Sequence, residues 1–230
     1  MFKKNIKISF ISFLAIVLVL IISSGIESLA ANKGKRRDRM LRGISKINQE
    51  TLSLEQAKVQ RYEKLENDLN EFRKKDSDGI SEDSCLYLTN KTNLSSEDLE
   101  KGLINTNLKG LGKDFKNAEE KYGVNAILLM AMAKHETGNG NSYLAKEKNN
   151  LFGFNAIDQD PINKAREFED KSESIDYVAK FLKENYLNKD GKFYNGISTK
   201  AIGKLYASDP DWSDKVDYMI REVSQNILNN

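Results

Sequence analysis

The chain has 230 residues, a formal net charge of +2, 39% hydrophobic residues and 30% charged ones. That is room for one good-sized domain with extensions or for two small ones, and the balanced charge does not point to a nucleic-acid partner. With a single cysteine (Cys85) and a single histidine (His135), it can form neither an internal disulfide nor a His/Cys zinc cage; no metal site and no cofactor are expected.

The N-terminus reads as an export signal. Three lysines in MFKKNIK precede an apolar run from Ile8 to Ile22, and Ser28 and Ala30 supply a small-x-small end, the three parts of a secretory signal peptide. The run falls short of the ~20 residues that span a bilayer, but counting through Ile26 brings it close. Residues 1–31 are therefore a cleaved signal or a retained membrane anchor. Either places the remainder outside the plasma membrane. A basic cluster, Lys33 to Arg42 (KGKRRDRMLR), reads as a solvated linker, with contact to an acidic polymer or membrane surface as the alternative.

From Thr51 to Lys75 the pattern becomes helical. Val59, Tyr62, Leu65, Leu69 and Phe72 form an apolar stripe, too short for a sustained coiled coil. The expectation is a spacer helix, packed on the domain or self-associating, ending in the turn at Asp76-Ser77-Asp78-Gly79. Residues 32–85 are thus basic linker and spacer helix, and 86–230 a separate catalytic domain.

That domain reads as mostly helical. Ser95 and Asp98 resemble a capping box, followed by inward-facing Leu99, Leu103 and Ile104. Phe115, Ala118 and Tyr122 line a helix that stops at Gly123. Asn125 can cap the next helix, Ala126 to Glu136, whose run AILLMAMA is apolar on every side and predicts burial all round. Ser172 can cap a helix carrying Ile175, Val178, Phe181 and Leu182, and Ser198 one carrying Ala201, Ile202 and Leu205. Trp212, Val216, Met219, Ile220, Val223 and Ile227 give the last helix a clear 3–4 period. Only Leu151 to Phe154 and Ala165 to Phe168 look strand-like, with a turn at Asp158 to Pro161 between them.

The most informative string is Lys134-His135-Glu136-Thr137-Gly138-Asn139-Gly140. A carboxyl at the end of so apolar a helix is partly desolvated, which raises its pKa, and the negative helix C-terminus acts in the same direction. A general acid at neutral pH needs that shift. Gly138 and Gly140 let the chain turn sharply and leave room for a ligand. The competing reading is an ordinary exposed helix end. His135, one residue away, cannot share the face of Glu136 and reads as structural.

The stretch from Leu108 to Phe154 closely resembles the bacterial endo-β-N-acetylglucosaminidases of glycoside hydrolase family 73. LKGLGKDF, AEEKYGVNAILL, HETGNG and NNLFGF occur in the family's order; NAIDQDP, Glu167 to Ile175 and LYASDPDWSDKVDYMI follow, so the likeness spans roughly residues 90 to 228. The resemblance implies a lysozyme-like, mostly α (α+β) domain with a reduced β lobe, acting on the glycan strands of peptidoglycan at the wall or outer membrane face of a bacterium of Gram-positive type. It puts Glu136 in the place of the catalytic acid and Tyr206 in that of an active-site tyrosine. Asn150, Phe152, Gly153 and Asn139 would contact substrate.

A second carboxylate is less well defined. Asp158, Asp160, Glu167 and Glu169 are the candidates, with Asp158 favoured because it falls in the loop nearest the expected cleft; the substrate's own N-acetyl group could replace all four. Two other readings stand beside glucosaminidase action: a muramidase or lytic transglycosylase, which cuts the other glycan bond, and a non-catalytic peptidoglycan-binding module of an envelope assembly.

Overall fold

The computed structural model describes residues 2–154 and 164–230, with backbone alone for residues 2–17 and 19. Its described helices are α1 (Phe2–Gly79), α2 (Ser96–Lys101), α3 (Gly112–Tyr122), α4 (Ala126–Thr137), α5 (Tyr143–Glu147), α6 (Lys171–Asn185), α7 (Thr199–Tyr206) and α8 (Trp212–Asn229). Two compact units are distinguished, Met1–Lys58 and Val59–Asn230.

The first unit is helical throughout its described length. Residues 32–50, expected as a linker, are therefore helix: they lack proline and are rich in Lys and Arg, which favour helix, while Gly34 and Gly43 weigh most against it. Its apolar side chains are exposed, among them Ile26, Met40, Ile44 and Ile47. No helix among the described residues is long and apolar enough to cross a membrane. Most of the apolar run Ile8 to Ile22 lies outside the described side chains.

The second unit begins well before residue 86. Leu65, Leu69 and Phe72 are buried in its core, so the inner part of the stripe read from the sequence is core packing, while Val59 is exposed. The helix breaks at Asp76, whose φ of 53° and ψ of −170° are non-helical. Ser77 then enters a buried polar knot: its backbone N–H and hydroxyl donate to Asp217 Oδ2 (3.3 Å each), and the Thr199 hydroxyl donates to Asp217 Oδ1 at 2.8 Å. These bonds tie the end of α1 to the start of α7 and to α8.

At the centre stands α4. Every residue from Ala126 to Ala133 is at most 1% exposed, as a helix without a polar face must be, and α8 provides its most extensive contact. Asn125 fixes its start: the side-chain oxygen accepts from the N–H groups of Ile127 (3.0 Å) and Leu128 (3.3 Å), and the amide donates to the carbonyls of Cys85 and Asn90. Buried Glu119 of α3 accepts from Ala126 N–H at 3.0 Å and pairs with Lys116. Both positive-end interactions satisfy orphan N–H donors of α4.

Several local expectations are met. Ser95 and Asp98 form a reciprocal capping box, Gly123 closes α3 at φ 64°, and Ser198 accepts from Ala201 N–H. Others are corrected. Asp170, not Ser172, caps α6; the Ser172 hydroxyl donates to Asp170 Oδ1 at 2.6 Å instead. Leu205 is 59% exposed, because Thr199, Ile202, Gly203 and Tyr206 take the inward side of α7. Among the described residues there is no strand. Leu151 to Phe154 and Ala165 to Phe168 are irregular and joined by one backbone bond, Arg166 N–H to the Phe154 carbonyl at 3.0 Å. The side chain of Asn150 takes up the Phe154 N–H and the Phe154 and Arg166 carbonyls that a ladder would have used.

Candidate active site

Glu136 lies in the last turn of α4, where the helix leaves the core. Thr137 secures the end: its hydroxyl donates to the Ala133 carbonyl (2.5 Å) and accepts from Gly140 N–H (2.7 Å). Gly138 follows at φ 56°, the left-handed conformation of a helix C-cap. Glu136 is therefore held on a rigid element, half-buried, with its carboxyl facing the segments that carry Phe152, Tyr206 and Trp212.

Three side chains define its surroundings. The indole Nε1–H of Trp212, the first residue of α8, donates to Glu136 Oε1 at 2.7 Å. Tyr206, at the end of α7, stacks against that indole with ring centroids 5.1 Å apart, and its hydroxyl donates to the Phe152 carbonyl at 3.4 Å. Gly153, at φ 62°, approaches from the third side: a Cβ there would stand 3.9 Å from Glu136 Oε2. Gly153 is thus the glycine that borders the carboxyl. Gly140, expected to share that role, packs against Asn107, where a Cβ would come within 2.9 Å of the backbone.

The electrostatics raise the pKa of the acid. Burial pushes the Glu136 carboxyl above the ordinary carboxylate range, and the negative charge of Asp209 adds to the rise, against the lowering by the Trp212 hydrogen bond. Asp209 stays ionised because Lys215 donates to it at 2.6 Å. Burial, reinforced by Lys215 and opposed by Asp209, lowers His135 and keeps its imidazole neutral at pH 7. The Tyr206 phenol is held well above its usual value by desolvation and by the neighbouring Glu136 charge, so it acts as a neutral hydroxyl.

The structure brings Glu136, Tyr206, Phe152 and Gly153 together. Asn150 is fully buried, with both ends of its amide engaged: it donates to the Phe154 and Arg166 carbonyls and accepts from Phe152 and Phe154 N–H. It braces the loop that carries Gly153 and offers nothing to a ligand. Phe152 is 2% exposed and packs in the core; its carbonyl, not its ring, meets Tyr206. Asn139, at φ 62°, keeps a buried Oδ1 without a protein partner among the described residues. Glu167 and Glu169 are exposed, while Asp158 and Asp160 lie outside the described residues.

Sequence reasoning missed Trp212 and Asp209. Trp212 was read as a core residue from its helical period, and it is one, at 2% exposure. The signal that marks it is chemical: a buried indole needs an acceptor for its N–H, and Glu136 is the acceptor it finds. Among the described residues no cluster of three or more His, Cys, Asp or Glu could hold a metal ion.

Comparison with known proteins places the domain. Residues 112–225 match the glucosaminidase family model, described as mannosyl-glycoprotein endo-β-N-acetylglucosaminidase. A Streptococcus pneumoniae protein assigned as an endo-β-N-acetylglucosaminidase is 37% identical over 145 residues, which is 61% of this chain and 22% of the relative. The bifunctional autolysin of Staphylococcus aureus is 29% identical over 131 residues, 46% of this chain and 10% of that protein. The chain therefore spans about a fifth or less of the length of these relatives. Among solved structures, a catalytic mutant of S. aureus autolysin E in complex with the disaccharide NAG-NAM superimposes with a TM-score of 0.51 at 28% identity, covering 64% of this chain and 74% of that one. The same enzyme in complex with the muropeptide NAM-L-Ala-D-iGlu gives 0.51 at 29% identity, covering 68% and 77%. Residues 112–225 therefore form a domain of the glucosaminidase family.

Proposed function

We propose that this protein is a peptidoglycan hydrolase that cuts the β-1,4 bond between N-acetylglucosamine and N-acetylmuramic acid, with Glu136 as the general acid. The observation that carries this reading is a half-buried carboxyl with a raised pKa, held on the end of a rigid helix and open on one side over Gly153. A glycosidic oxygen is a poor leaving group until protonated, and a carboxyl whose pKa is raised by burial is better suited to supply the proton as the bond breaks. The relatives named as autolysins, and the autolysin E complexes with wall fragments, support peptidoglycan as the substrate.

Tyr206 offers a neutral hydroxyl beside the carboxyl, held to the Phe152 carbonyl by a long bond that a substrate or the attacking water can replace. Asn139 adds an acceptor at the same helix end. For the second carboxylate, Asp158 remains the choice from the sequence. Asp209 is the acid whose charge Glu136 feels, and its ion pair with Lys215 makes it an electrostatic neighbour and not a free base. Action outside the membrane follows from the wall substrate and from the signal or anchor reading of residues 1–31.

Product analysis on purified peptidoglycan tests the bond assignment. New reducing-end N-acetylglucosamine is expected. New reducing-end N-acetylmuramic acid, or its anhydro form, would overturn it in favour of muramidase or transglycosylase action.

A further inference from the structure

We infer that Trp212 is a positioning residue that fixes the direction of proton transfer: its indole N–H occupies Oε1 of Glu136, so that the acidic proton is carried on Oε2, the oxygen facing Gly153. This rests on the general-acid reading of Glu136 and goes beyond it by naming the donor oxygen and what selects it.

The argument is one of hydrogen-bond inventory. An indole N–H can only donate, so the oxygen it meets, 2.7 Å away, must accept. In a protonated carboxyl the carbonyl oxygen is the stronger acceptor and the other oxygen bears the hydrogen. With Oε1 committed to the indole, the hydrogen sits on Oε2. Among the described residues Oε2 makes no hydrogen bond of its own. Its neighbour among the described residues is Gly153, where a Cβ would stand 3.9 Å away. The carboxyl is thus gripped on one oxygen and free to donate from the other.

The grip is stiff because the indole has little freedom. Trp212 is 2% exposed and stacked on Tyr206. On its other neighbour, Gly203 of α7, a Cβ would lie 2.9 Å from indole Cε3, closer than real side chains come. The backbone N–H of Trp212 donates to the Asp209 carbonyl at 3.2 Å.

The chain contains one tryptophan, so the indole ¹H–¹⁵N resonance reports on this contact without ambiguity. In the full chain it should shift with pH along a single titration whose midpoint coincides with the alkaline limb of kcat/KM for wall digestion, and the titration should vanish in Glu136→Gln. Among the described residues, His135 on α4, Tyr206 on α7, Asp209 before α8 and Lys215 on α8 are the other titratable groups around the site, and Asp158 is the carboxylate expected there from the sequence. A titration that survives Glu136→Gln belongs to one of them and would overturn the inference, as would a flat signal in the unmodified chain. In Trp212→Phe, kcat should fall on the order of 10²-fold with KM little changed, and the alkaline limb should move to higher pH because the donor that favours the carboxylate is gone. An unmoved limb would contradict the assignment; a variant that does not fold leaves the resonance experiment as the arbiter. Full activity of Glu136→Gln would sink the general-acid reading itself, whereas an inactive Glu136→Gln together with a flat indole signal in the unmodified chain would sink only the role of Trp212.

Discussion

Replacing Asp217 by asparagine should make the protein more stable at pH 7.5 and leave it no more stable at pH 4. Asp217 is 4% exposed and its carboxyl is pushed from the ordinary 3.8 up to about 6, chiefly by burial and against the opposing hydrogen bonds from Thr199 and Ser77. The folded state therefore binds this proton more tightly than the unfolded chain. The associated stability is complete below pH ~4 and is lost as pH rises through about 6. The interval between 3.8 and about 6 corresponds to about 3 kcal/mol. Asparagine removes the buried charge but has one acceptor where aspartate has two, and rearranging one neutral hydrogen bond costs about 1 kcal/mol. A net gain of about 2 kcal/mol at pH 7.5 follows, falling to zero or a slight loss at pH 4. Urea unfolding of both chains at the two pH values measures the double difference, which cancels the titration of every other group. A difference independent of pH would refute the reasoning.

Three further substitutions probe other parts of the account. Lys134 is fully buried two residues before Glu136 and pairs with Glu222 of α8 at 2.9 Å; Lys134→Ala should cost roughly 3 kcal/mol by urea unfolding, since it leaves a cavity and an unpaired, partly buried carboxylate. Asn125→Ala removes the cap of α4 and leaves buried carbonyls unsatisfied, for a loss of about 2–3 kcal/mol measured in the same way. Tyr206→Phe gives up only a 3.4 Å hydrogen bond, so stability should change by less than about 1 kcal/mol, while kcat on purified wall falls if the hydroxyl serves the substrate or water as proposed.

How far the sequence could be read depended on the range of the interaction that mattered. Ser95, Gly123, Asn125 and Ser198 act on their own backbone neighbours, and each was legible from its place in the string. The burial of α4 was legible for a similar reason, since AILLMAMA has no polar face to expose. Glu136 needed both that local argument and the ordered family motifs around it. What stayed hidden depends on distant partners. The end of the α1 stripe joins the core because Leu65, Leu69 and Phe72 meet the domain, and Ser77 meets Thr199 and Asp217, more than a hundred residues away. Asn150 looked like a cleft residue, but its amide replaces the strand ladder expected on either side of it. Trp212 fits the helical period of α8 so well that its hydrogen bond to a residue 76 positions earlier left no mark on the pattern.

The central claim is that Glu136 delivers the proton that breaks the glycosidic bond, and Glu136→Gln tests it most directly. The variant is near-isosteric, retains an acceptor for the Trp212 indole, and should unfold at the same urea concentration as the parent chain or a higher one, because it also relieves the burial of an ionisable group. Digestion of purified peptidoglycan, followed as released reducing ends, should fall by at least about 10²-fold. A folded Glu136→Gln protein that digests wall at the parental rate would contradict the account.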